Sequence, residues 1–203
     1  MKKLLLIAVF ALSGCINLGE NSDAPTLVNY VLEDTHEVKG AAAEKAAATD
    51  PRTLLVLDTT ATAFYDGDGL VYSRVPGTRE QYRYARWTER PGKRFADLLR
   101  ARLDAQSGFA TIATAGGQVR GDVLLDTELT EFYHDAASSP GSVRVVLRAE
   151  LIDLKSRTLI GRKSFEQRVV LPSYDASGAA LGFSQASSQV LDDVVLWLAA
   201  VKK

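Results

Sequence analysis

Hydrophobic positions change period several times along the chain, and each change marks an element. Val143, Val145, Leu147, Ala149 and Leu151 alternate with Arg144, Arg148 and Glu150, the period-two pattern of a strand with one buried face. Gly121 to Tyr133 alternates in the same way, with Val123, Leu125, Thr127 and Leu129 facing one side and Asp126, Glu128 and Thr130 the other. After a turn at Asp153 to Arg157, Thr158 to Val170 completes a hairpin. Shorter β-branched or aromatic runs predict strands at Leu27 to Leu32, Thr53 to Thr62, Leu70 to Tyr72, Glu80 to Trp87 and Phe109 to Ile112. In Glu80 to Trp87 the alternation sends Tyr82, Tyr84 and Arg86 to one face.

Two stretches have helical spacing instead. Phe95, Leu98, Leu99, Arg102 and Leu103 fall on one stripe of Pro91 to Gln106, with proline suited to the first turn and Gly108 placed to stop the helix. Ala176 to Val201 repeats the pattern through Phe183, Ala186, Val190, Val194 and Trp197, and Lys202 and Lys203 suit its C-terminal end. The elements predict an α+β two-layer sandwich: a twisted, mostly antiparallel sheet with two helices packed on one face.

The N-terminus follows neither pattern. Met1-Lys2-Lys3 precedes the apolar run Leu4 to Leu12, which is too short to span a bilayer as a helix but matches a secretory signal. Leu12-Ser13-Gly14-Cys15 closes the run and resembles the bacterial lipobox, in which the chain is cut before a cysteine that carries lipid. The expected cleavage lies between Gly14 and Cys15, and Cys15 is the expected lipid attachment site. Residues 1–14 then form the signal, 15–25 a lipidated cysteine with a polar tether, and 26–203 a single domain. Within that domain, residues 40–50 form an alanine-rich loop insert.

Composition narrows the function. Without Lys2 and Lys3 the chain holds 22 basic and 25 acidic residues, a balance that gives no electrostatic reason to bind nucleic acid. Cys15 is the only cysteine, so no disulfide framework and no further thiol nucleophile are available. His36 and His134 have no partner at metal-ligand spacing and read as loop or surface-turn residues. Asp66-Gly-Asp-Gly69 lacks the later acidic ligand of a calcium loop and reads as a turn. No catalytic residues, metal or cofactor are expected, beyond a covalent N-terminal lipid on Cys15. The aromatic and basic cluster Tyr65, Tyr72, Tyr82, Tyr84, Arg86 and Trp87 reads either as a covered sheet face or as a partner-docking surface, since Tyr, Trp and Arg concentrate at interfaces. The stripe Phe183, Val190, Val194 and Trp197 leaves a second reading open, a lipid carrier with an apolar groove between helix and sheet.

Several of these features together resemble one family. The lipobox, Tyr30-Val-Leu32, Tyr65-Asp-Gly-Asp-Gly-Leu-Val-Tyr72, Tyr84-Ala-Arg86-Trp87 and the hairpin around Ala149 to Asp153 are similar to the ABC-type transport auxiliary lipoproteins, the PqiC/YmbA group. The resemblance implies a non-catalytic periplasmic lipoprotein that accompanies an MCE-domain protein and inner-membrane transporter components in moving lipids or other apolar compounds. It leaves a homo-oligomer open. Ile16 after the cysteine, where Asp favours inner-membrane retention in enterobacterial-type sorting, points to the outer membrane.

Overall fold

The computed structural model describes residues 26–36 and 48–201. Cys15, the tether and the alanine-rich insert up to Ala47 lie outside the described residues. Nine strands and two helices follow in order: β1 (Val28–Tyr30), β2 (Asp50–Val56), β3 (Thr60–Ala61), β4 (Gly69–Ser73), β5 (Glu80–Trp87), α1 (Pro91–Gln106), β6 (Phe109–Thr114), β7 (Val123–Asp135), β8 (Ser142–Asp153), β9 (Thr158–Val170) and α2 (Ala176–Val201).

Strand β7 is the spine of the single mixed sheet. One of its edges pairs antiparallel with β8 over nearly its full length, and β8 pairs antiparallel with β9. The other edge receives three short parallel strands in succession: β2 at Val123–Leu125, β3 at Glu128–Leu129 and β4 at His134–Asp135. Strand β5 pairs antiparallel with β4, β1 runs parallel to β5, and β6 runs parallel to β2. The long β7–β8–β9 ladders make the sheet antiparallel over most of its paired length, in an α+β fold.

The stretch read as one strand from Thr53 to Thr62 is two. Leu54 and Val56 are buried inward, then the chain leaves the ladder and rejoins β7 at Thr60. Two register shifts matter more. Between Leu129 and Glu131, β7 takes two steps against one on β8, so one extra residue reverses the facing of everything after it. Val123, Leu125 and Leu129 point inward before this bulge; Phe132 and His134 point inward after it. In β5, five steps from Gln81 to Arg86 face two on β4, from Val71 to Gly69. The simple alternation therefore fails in β5: Trp87 and Tyr82, at odd spacing, both reach the inner face, where Trp87 meets Phe132 and Tyr82 meets His134.

Both helices cover that inner face and touch each other. Helix α1 starts without a side-chain cap but with proline in its first turn. It ends where Gly108 takes φ +70°, a left-handed conformation that favours glycine. Phe95, Leu99, Phe183, Val190 and Val194 are fully buried against Leu125, Leu129, Leu147 and Leu151. The segment after β1 is strapped to the helices. Arg94 Nε donates to the Leu32 carbonyl at 2.9 Å, and the Glu33 and Thr35 N–H groups donate to Ser184 and Ser188. Arg102 pairs with Asp34, their side chains 4% and 6% exposed, and also with the more open Asp192.

Candidate functional site

The six aromatic and basic residues singled out in the sequence do not form one surface. Trp87 is 2% exposed and wedged between Phe132 at 5.9 Å and Phe183 at 5.5 Å, centroid to centroid. It is a core residue of the sheet–α2 interface. Tyr65 is also buried, in a polar clamp with β7. Its hydroxyl donates to Glu131 at 2.8 Å and accepts from Arg79 Nε at 2.7 Å, while Arg79 also pairs with Glu131 and stacks 3.7 Å over Tyr133. Burial pushes the Tyr65 hydroxyl up to about 12. Arg86 works within its own strand: its Nη1 donates to the carbonyls of Tyr82 and Ala85, holding the β5 bulge in shape. It also lies 4.0 Å from Asp68.

Tyr72, Tyr82 and Tyr84 do come together. With Arg74, Arg83 and Ala176 they line an open groove of about 370 Å³ where α2 begins. The Tyr72 and Tyr82 rings stand 4.8 Å apart, and Tyr82 stacks on His134 while its hydroxyl meets His134 Nδ1 at 2.8 Å. Tyr72 donates to Glu80 at 2.6 Å, a bond that raises the pKa of its phenol. Burial pushes Tyr82 up to about 12. Tyr84 is the open member, 41% exposed. At the α2 end, Asp175 accepts from the Gly178 N–H at 2.7 Å and from Ser173, and the Gly178 N–H in particular holds its carboxyl below the usual range.

Sequence reasoning missed Arg74, Arg83, Tyr174 and His134. His134 is a correction to the surface-turn reading. The β7 bulge turns it inward, where it is fully buried against Tyr82 and Tyr174, and burial lowers its pKa. Gly141 makes this possible: at φ +79°, an added Cβ would lie 2.5 Å from His134 Nε2. His36 is more open and bonds Asp192 through Nδ1 at 2.7 Å. Asp66 sits 3.8 Å from Arg90. In the apolar stripe of α2, Phe183, Val190 and Val194 are fully buried in the core, and Trp197 packs on Phe165.

Residues 30–195 match the family model for the ABC-type transport auxiliary lipoprotein component, which covers nearly all of the described fold. The chain belongs to this family. An ABC-type transport auxiliary lipoprotein component works beside transporter components, and among the described residues of this one no helix is long and apolar enough to cross a membrane. No curated protein matches the sequence. Among solved structures, the auxiliary lipoprotein is similar to protein XCC0632 from Xanthomonas campestris, of family DUF330. The two are 23% identical over 86% of this chain and 96% of that one, with a TM-score of 0.73. A second similar crystal structure, of an uncharacterized protein, is 16% identical over 75% of this chain and 95% of that one, with a TM-score of 0.63. At these identities the likeness establishes a shared fold.

Proposed function

We propose that this auxiliary lipoprotein is a non-catalytic docking component, held to the periplasmic face of the outer membrane by lipid on Cys15. It engages an MCE-domain protein and inner-membrane transporter components that move lipids or other apolar compounds. The observation that carries the reading is the family match over residues 30–195, together with the lipobox ahead of it. The docking surface is the tyrosine rim of the α2 groove, where Tyr84 is exposed and Tyr72 and Tyr82 are fixed by hydrogen bonds. Tyr65, Arg86 and Trp87 support that rim from within the fold.

The anchor is tested by replacing its attachment atom. Cys15→Ser should shift the protein from the membrane pellet to the soluble periplasmic fraction and leave the signal uncleaved at Gly14. Unchanged fractionation and processing would remove the anchor from the account.

A further inference from the structure

The arginines at the groove differ from most others in the chain. Arg52, Arg79, Arg100, Arg102, Arg144 and Arg148 each pair with a carboxylate within 3.1 Å. Arg74 and Arg83 pair with none among the described residues. Each instead lies over a tyrosine of the rim, Arg74 at 4.8 Å from the Tyr72 centroid and Arg83 at 5.2 Å from that of Tyr84. Stacking holds a guanidinium against the ring while its N–H groups can still donate; Arg74 bonds the Tyr174 hydroxyl, and neither arginine has a carboxylate partner among the described residues. The acidic groups nearby are already engaged: Glu80 accepts from Tyr72, and Asp175 caps α2.

We infer that this groove binds an acidic peptide segment of a protein partner, with Arg74 and Arg83 receiving its carboxylates and the tyrosine rings packing on the apolar side chains between them. This rests on the docking function proposed above and gives it a chemistry. Charge complementarity is the argument, since two neighbouring arginines without a carboxylate partner among the described residues sit on a chain whose balance is otherwise slightly acidic. A phosphate-bearing lipid would satisfy the same arginines. The lining disfavours it, because Ala85 and Ala176 are the only aliphatic side chains there and offer little surface to an acyl chain.

The test uses the full chain in mild detergent and fluorescence anisotropy of a labelled, end-capped peptide alternating glutamate with leucine. Saturable binding is expected, weakening between 50 and 500 mM salt as charge screening rises. The glutamine-for-glutamate peptide should bind at least about tenfold more weakly. Arg74→Gln and Arg83→Gln should each weaken binding about five- to tenfold at unchanged Tm, while Arg120→Gln, outside the groove, changes nothing. Equal binding of the glutamine peptide, or wild-type binding by both groove variants, overturns the inference. So does flotation with phosphatidylglycerol vesicles that the two variants lose while the peptide fails to bind, which would make the groove a headgroup site. The same variants are carried through co-purification with the transporter components. Wild type that never associates counts against the docking function alone, whereas association unaffected by either variant counts against the groove as its acidic-segment site.

Discussion

Trp87 and Tyr84 stand three residues apart in one strand and have opposite roles. Trp87 fills the space between Phe132 and Phe183, so Trp87→Ala should cost about 3–5 kcal/mol in urea denaturation. Trp87→Phe should cost much less, because it keeps the ring packing and deletes an indole N–H with no partner among the described residues. Tyr84→Ala should stay within about 0.5 kcal/mol, as an exposed position does. Comparable losses for Tyr84→Ala and Trp87→Ala would contradict this division between core and rim. His134 adds a pH dependence. Its folded pKa lies below the ordinary value near 6.5, so the unfolded chain binds more protons between the two. The stability linked to neutral His134 is complete above about pH 6.5 and is lost as pH falls toward the folded pKa. Tm measured from pH 7.5 to 5 should fall more steeply for the native protein than for His134→Phe. Parallel curves would show that His134 titrates alike in both states.

At the scale of elements, much was legible. The ends of α1 and α2, the span of β5 and the β8–β9 hairpin follow from period, proline and glycine alone. Bulges were not legible, because a single extra residue in β7 is invisible to local alternation yet turns His134 from surface to core. The three parallel strands on one edge of β7 were also hidden, since parallel pairing joins segments far apart in sequence. The groove has the same origin: residues 72–85 and Ala176 meet only because β4 lies beside β7 beneath the start of α2. The strap after β1 is a further tertiary feature, and its key is the buried Arg102–Asp34 pair. Arg102→Met should cost about 3–5 kcal/mol by leaving the buried Asp34 carboxylate without its ion-pair partner, and adding Asp34→Leu should recover much of that loss. A single variant within about 1 kcal/mol of native in urea denaturation would mean that the strap is held by its serine hydrogen bonds instead.

For the whole molecule, the proposed anchor and the proposed docking rim lie in separate parts of the chain. The sheet and its two helices form a core that presents the exposed Tyr84 beside Arg74 and Arg83, two arginines without a carboxylate partner among the described residues. Burial of the α2 stripe packs its apolar side chains into the core among the described residues, which supports the docking reading. The family places the protein beside transporter components, and we propose that this rim is where they meet. The most direct test is co-purification of the protein with the MCE-domain protein proposed as its partner, native against a Tyr72→Ala/Tyr84→Ala double variant of confirmed Tm and unchanged localisation. The account predicts association for the native protein and at least a tenfold loss for the variant, on the order of 1.4 kcal/mol or more. Undiminished association of the folded, correctly localised variant would contradict it.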